Sequence, residues 1–573
     1  MRTSGAFGQV RGTRHKGLAH STDGPGLGPT ILVGAPHGAP RGWRPAANVT
    51  AVSTSPTPPT RAPDDQRDQA APVEIVVLAL GALVLGIVLR FVTRSPLWLD
   101  EALSVNIAKL PLGQISGALR HDGHPPLYYV LLHGWMALFG SSDVAVRALS
   151  GVFAVLCLPL IWLIGRRRGG PLLAWVALAV MAMAPFGLRY ATETRMYSLL
   201  MMLVLAGYLL VDDVVRRQKP GLLVLAGLAL VSGALLLTHY WSIWLLGAVE
   251  LTLLWRWWRD RRPEVRRALL RGFGAIAVGG LFFVPWLPSF LYQSAHTGTP
   301  WASAQRPLSV VAVTLAEFGG GTFRDAEFVG GIILVLALLA LFGRAVDRRH
   351  IDLDLGTQPQ FRFEALVVGL TLALGIAVAA AAGSAFAGRY ASVFYPLVML
   401  LVAGGITRFV DRPVRGVVLA TFLAMCVLGA YWNVTYQRSQ GRMAAQAVNA
   451  AAEPGDVVAF CPDQLGPAFS RSMRTDLDRV VYPTMAAPDR VDWVDYGSRN
   501  AAANPQAFAD ELLARAGPHQ IFLAWFPSYK TFEGQCEALV DALAAARPAN
   551  TTLVVAGQNY FEPGSVSVFK AGS

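Results

Sequence analysis

Four cysteines in 573 residues are too few for a disulfide scaffold or a Cys-based metal site. Charge is scarce as well: Asp, Glu, Lys and Arg make up 15% of the chain, against about a quarter in ordinary soluble domains. A clear ligand set for a divalent metal is missing; a divalent metal stays open only through Asp143 with His239, a pair the fold would have to bring together. No basic stretch leads directly into an apolar one near the start, so no cleaved signal peptide of the usual form is expected. What is abundant is apolar: 53% of residues, with a mean hydropathy of +0.42. Several apolar runs approach or exceed the roughly 18–20 residues that a spanning helix needs. The chain therefore reads as a polytopic membrane protein. Its formal charge of +12 does not imply nucleic acid, because Lys and Arg cluster in short loops between apolar runs.

In order, residues 1–72 are rich in Gly, Pro, Ser, Thr and Arg and are expected to be a disordered tail. Eleven spanning helices are then predicted, at 73–92, 144–165, 171–188, 196–215, 221–238, 242–258, 268–287, 328–344, 364–386, 391–407 and 415–434. Arg166 to Arg168, Arg216 to Lys219, and the basic runs at 256–267, 344–349 and 408–415 all fall on one face, which the positive-inside rule makes cytoplasmic. This requires the apolar segment 125–139, only about 15 residues long, to lie on the outer surface instead of spanning. Asp122 is expected to cap that segment, and Pro125 and Pro126 suit its first turn. Residues 435–573 alternate short β-like and helix-like runs, as in a small α/β domain, placed outside by the odd helix count. Cys461 and Cys536 both fall there, so a disulfide can form if geometry allows. The expected architecture is thus a tail (1–72), a transmembrane helical domain (73–434) with outer juxtamembrane helices, and an extracytoplasmic α/β domain (435–573).

The polar residues of the outer face carry the chemistry. Asp100 and Glu101 follow the first apolar run directly. They could simply cap a surface helix, or Asp100 could be a general base taking a proton from an acceptor hydroxyl. Glu193 and Arg195 could form a solvated turn. His239 closes a tight turn between two helices. Arg389 must either reach the interface or bind an anion. Arg147 could anchor its helix or face a phosphate. Charged residues gathered beside an acidic pair at one membrane face ask for an anionic, lipid-linked substrate, since guanidinium binds phosphate bidentately.

The order Trp98-Leu99-Asp100-Glu101, then Gly123-His124-Pro125-Pro126-Leu127-Tyr128-Tyr129, then Glu193-Thr194-Arg195-Met196-Tyr197, Thr238-His239-Tyr240, and Arg389-Tyr390 before Pro396, resembles the GT-C glycosyltransferases. It is most similar to their protein O-mannosyltransferase and lipid A aminoarabinose transferase branch, over residues 73–434. The resemblance implies a polyprenyl-phosphate sugar donor, with mannose the expected sugar, and a lipid, glycan or protein hydroxyl as acceptor. It implies Asp100 as catalytic base, with Glu101 positioning it or the acceptor. Arg195 and Arg389, with Arg147, become donor-phosphate ligands, and Tyr197 and His239 shape the donor pocket. His124, Glu193 and Tyr390 are assigned to the acceptor or the pocket. The site and the C-terminal domain are expected outside a cell membrane that the chain crosses many times. Two rivals remain: a lipid-linked substrate transporter or flippase, which expects ionisable residues near helix centres, and a membrane scaffold without turnover.

Overall fold

The computed structural model describes residues 70–571 except 218, 301, 304, 322–324, 382, 384 and 528; most of the expected tail lies outside the described residues. The apolar runs form helices because a chain in lipid must satisfy its backbone internally. They are α1 (Val73–Leu89), α2 (Leu99–Ala108), α3 (Leu112–Arg120), α4 (Leu127–Phe139), α5 (Asp143–Met183), α6 (Pro185–Ala191), α7 (Tyr197–Arg216) and α8 (Leu222–Leu236). There follow α9 (Ser242–Arg259), α10 (Pro263–Leu281), α11 (Leu287–His296), α12 (Pro307–Gly319), α13 (Ala326–Phe342), α14 (Arg362–Ala381), α15 (Tyr395–Ile406) and α16 (Arg412–Thr435). α5 holds two of the expected spans, separated by a kink at Gly169 and Gly170, where Gly170 takes a φ of 77° and Pro171 restarts the helix.

Every expected span has a helical counterpart, but among the described residues five helices are long and apolar enough to cross a membrane by length and composition alone. The chain is a multi-pass membrane protein. At one end of the bundle, Arg167 lies 3.0 Å from Asp213, Arg168 lies 3.1 Å from Glu364, and Arg216 donates to the Arg167 carbonyl at 2.7 Å. α4 forms where a surface helix was expected. Asp122 does not cap it: no side chain caps that helix, and the carboxylate is engaged elsewhere.

The basic segment after α13 carries a hairpin, β1 (Gly343–Ala345) with β2 (Ile351–Leu353). Beyond α16, β3 (Gln437–Ser439), β4 (Val457–Cys461), β5 (Asp478–Val481), β6 (Ile521–Trp525), β7 (Asn550–Val554), β8 (Tyr560–Glu562) and β9 (Ser565–Phe569) alternate with helices. Those helices are α17 (Gly441–Ala451), α18 (Gly466–Phe469), α19 (Tyr496–Ala501), α20 (Pro505–Ala516) and α21 (Gln535–Ala546). A five-stranded sheet has the order β5-β4-β6-β9-β7, parallel across its first three strands and antiparallel at β9. β8 pairs instead with β3, in parallel, beside the end of α16. Cys461 and Cys536 form a disulfide that ties β4 to α21, while Cys157 and Cys426 are free and buried.

The sheet does not close its core with its own residues. Trp98, Leu99 and Leu103 of the α2 segment share one apolar core with Val457, Tyr482 and Leu523, and Ala102 joins the core of Phe460, Leu465 and Phe469. The helix that bears the acidic pair is thus built into both bodies.

Candidate active site

Asp100 and Glu101 occupy the first turn of α2. Neighbouring residues on a helix point to different sides, so the two acids meet different surroundings. Glu101 is fully buried. Arg147 grips it with two parallel bonds, Nε to Oε1 at 2.7 Å and Nη2 to Oε2 at 2.5 Å. The Thr194 amide donates to Oε1 at 2.9 Å, and Arg438 stands 3.7 Å away. Burial pushes this carboxyl up, but Arg147, Arg438 and the Thr194 amide outweigh it and hold it below the usual range. Arg147 also donates to the Ser95 and Pro96 carbonyls, at 2.7 and 3.0 Å. The expectation that Arg147 faces a phosphate is corrected here: its guanidinium is enclosed by Glu101 and two carbonyls. The alternative role, anchoring the start of α5, fits these contacts.

Asp100 is placed differently. Its Oδ2 is buried and accepts no hydrogen bond, with Arg389 at 3.7 Å and Arg195 at 3.8 Å. Ser104, one turn on, donates to the Asp100 carbonyl at 2.8 Å. Arg195 is 2% exposed and lies beneath the acid, donating to Ser104 Oγ at 3.1 Å and to His124 Nε2 at 2.8 Å. An arginine can only donate, so His124 accepts through Nε2 and must carry its proton on Nδ1. That proton faces Asp122 Oδ2 at 2.9 Å, which also accepts from the Tyr129 hydroxyl at 3.0 Å. Burial would raise the Asp122 carboxyl, but His124, Arg195 and Tyr129 together hold it down.

His239 and Tyr390 line the approach. Their rings are 5.5 Å apart, and Tyr390 stacks on Trp241 at 5.9 Å. Burial, reinforced by His124, Arg195 and Arg389, keeps His239 well below its ordinary value and therefore neutral. Tyr197 packs 5.9 Å from His239, its hydroxyl buried without a hydrogen-bond partner. A cavity of about 380 Å³ runs past His124, His239 and Tyr390 to Trp244 and to Val378 of α14. Only glycine fits at 375, where a Cβ would lie 2.3 Å from the Trp241 ring.

Glu193 is nearly fully buried and stands 3.8 Å from Arg438, behind the Glu101 pair and off the lining of this cavity. Burial raises its carboxyl. Asp143 and His239 are not brought together: Asp143 meets Arg471 at 3.0 Å and Arg442 at 3.3 Å. Among the described residues no group of three or more His, Cys, Asp or Glu could hold a metal.

Several residues of the site carried no signal in the sequence. Arg438 bridges Glu101 and Glu193, and Glu562 accepts the Leu99 amide at 3.2 Å. Burial, with Asp100 and Glu101 nearby, pushes Glu562 up to about 8 despite that bond. Both residues come from the C-terminal region, hundreds of positions away from α2. Tyr129 sits inside the quoted aromatic motif, where it reads equally well as an interfacial anchor.

Residues 123–287 match the family model for dolichyl-phosphate-mannose-protein mannosyltransferases. The chain shares its fold with ArnT from Cupriavidus metallidurans. The apo structure of ArnT aligns with a TM-score of 0.56 at 13% identity, covering 86% of this chain and 97% of that one. The structure of ArnT bound to undecaprenyl phosphate aligns with a TM-score of 0.53 at 15% identity, covering 87% and 98%. No curated protein sequence matches the chain.

Proposed function

We propose that the chain is a GT-C glycosyltransferase of the O-mannosyltransferase and aminoarabinose transferase type, which moves a sugar, mannose by preference, from a polyprenyl phosphate to an acceptor hydroxyl, with inversion, at the extracytoplasmic face. The observation that carries this reading is the Asp100 carboxylate, whose Oδ2 is shielded and unbonded between two guanidiniums. A buried acceptor atom left without a donor costs free energy unless something fills its place. An acceptor hydroxyl would do so.

In this mechanism Asp100 takes the hydroxyl proton as the acceptor oxygen bonds to the anomeric carbon. The bond from that carbon to the phosphate oxygen breaks on the opposite side, and polyprenyl phosphate leaves. Arg389 and Arg195 sit beyond hydrogen-bond distance of the Asp100 carboxylate, at 3.7 and 3.8 Å, so an incoming phosphate could draw Arg389 toward itself and leave the carboxylate free as a base. The same guanidiniums then stabilise the phosphate that departs. The cavity past His239, Tyr390, Trp241 and Trp244 suits the first isoprene units of the donor, in keeping with the undecaprenyl phosphate bound by ArnT. Glu101 acts by position: fixed by Arg147, it sets the first turn of α2 and the direction of its neighbour. Tyr197 and His124 hold the surroundings of the two arginines.

Eleven crossings, with the basic loops inside, put Asp100 and the sheet outside. The Cys461–Cys536 disulfide supports that side, since such bonds persist in oxidising compartments. The test is to incubate membranes containing the protein with labelled polyprenyl-phosphate mannose and follow the label into lipid, glycan and protein fractions. Transfer by the wild type that Asp100→Asn abolishes is the expected result. Donor binding without transfer to any fraction would favour a scaffold, and loss of label across the bilayer without a new bond would favour a flippase.

A further inference from the structure

α9 answers to the expected span at 242–258, and the ninth of its eighteen residues is an acid, Glu250. At 1.5 Å per residue the carboxyl lies about 12 Å from either end of the helix, near the middle of that span. The side chain is half-buried. Among the described residues it has no hydrogen bond, ion pair or charged neighbour. The residues one turn away on either side, Leu246, Gly247, Leu253 and Leu254, offer none. An acid within a membrane span is costly unless it is paired, and this chain supplies no partner.

The helix face that bears the acid is open. Leu245, Ala248 and Thr252 turn inward and are buried. On the other side, Ile243, Gly247, Glu250 and Leu254 recur at intervals of four, three and four, the seam spacing of two helices packed side by side. Leu251, Leu254 and Trp258 on that side are 49%, 43% and 72% exposed, as suits side chains that face lipid. A Cβ added at Gly247 would meet nothing within 4 Å. Glycine weakens a helix, and no neighbour within this chain comes close enough to require one. In membranes, small residues at such a place let the backbone of a second helix approach. Neither cavity beside α9 is lined by Glu250, so the acid does not belong to a path through the bundle.

We infer that this face of α9 docks a membrane-spanning helix of another protein, one that carries a basic residue near its midpoint. The basic side chain pairs with Glu250, and the backbone of the partner closes against Gly247. The contact lies apart from the donor cavity and is independent of sugar transfer.

For the experiment, full-length protein with a fluorophore at Arg261→Cys, an exposed position just beyond α9, is reconstituted in phosphatidylcholine liposomes. Cys157 and Cys426 are buried and stay unlabelled. Synthetic leucine–alanine helices long enough to span carry an acceptor dye; one has arginine at its centre, the other leucine. Energy transfer is expected to show the arginine helix bound roughly three- to tenfold more tightly, the range for polar contacts between helices in lipid. Glu250→Leu has no partner in the chain to lose, so the variant should fold, and it is expected to erase the preference. Glu264→Gln, at an exposed acid in the first turn of α10, should keep it. Equal binding of both helices, a preference that survives Glu250→Leu, or an equal loss in Glu264→Gln overturns the proposal. So does Glu250-dependent transfer between two labelled copies of the protein without any peptide, which would give the face to a second copy.

Discussion

The Asp100 carboxylate lies between two guanidiniums and within hydrogen-bond distance of neither, which sets how the site should answer substitution. Asp100→Asn keeps the size and the partial exposure of the side chain, so the protein is expected to insert and fold. Transfer should fall by about 10²-fold or more, the usual loss with a general base, as read by labelled-sugar assay beside a thermal melt. Near-normal transfer would remove Asp100 from the reaction. Arg389→Ala removes a charge-assisted contact to the donor phosphate and to the leaving group. Donor use should drop by about 10- to 100-fold with little change in the KM for acceptor. Arg389→Lys should recover part of this, because an ammonium lacks the planar fork. Initial rates with each substrate varied in turn separate the two effects; intact donor kinetics in Arg389→Ala would leave it an interfacial anchor.

At the scale of the element, α2 is held from below by the Arg147–Glu101 pair and from above by the sheet. Glu101→Gln leaves Arg147 and Arg438 buried against a neutral amide, and breaking such a pair costs about 3–5 kcal/mol. A large fall in melting temperature is therefore expected for Glu101→Gln and not for Asp100→Asn; the reverse order would put the structural role on the wrong acid. The sheet carries its own pH dependence. Burial raises Glu562 to about 8 from an ordinary 4.5, and Asp463 to about 7 from 3.8, despite the Tyr496 hydroxyl bonded to the latter. Between those values the folded chain keeps protons that the unfolded chain has lost, so stability is full below about pH 4 and falls as pH rises toward about 8. Melting temperatures should decline over that window, and Glu562→Gln with Asp463→Asn should flatten the decline. The depressed carboxyls, Glu101 and Asp122, act below the ordinary carboxylate range, outside this window. Periodicity and apolar run length made the helices readable, because lipid leaves the backbone few other choices. They could not reveal that Asp122 holds His124 instead of capping α4, since both uses ask for the same residue at the same place.

At the scale of the whole molecule, sidedness governs the rest. In intact cells a membrane-impermeant thiol reagent should label Ser294→Cys and Ser498→Cys, while Lys219→Cys should react only after permeabilisation. Labelling of Lys219→Cys in intact cells would mean that 125–139 crosses the bilayer. Asp100, Arg195, His239 and Arg389 were legible as candidates because each stands in a short polar motif at the end of an apolar run. Arg438 and Glu562 were not, because their meaning comes from contacts made across more than three hundred residues. That span has a consequence in time. Trp98, Leu99 and Leu103 complete a core that also takes in Phe569, at the far end of the chain. Ribosomes add roughly 5–20 residues each second, so α2 emerges on the order of a minute before the strand that shares its core. Throughout that interval α2 lacks part of the core that fixes it, and a chain cut short between Arg389 and β9 would carry Asp100, Arg195 and Arg389 without that surface. If the proposed chemistry holds, β9 is the strand that completes the seat of α2, and an unfinished copy is expected to leave the donor lipid untouched.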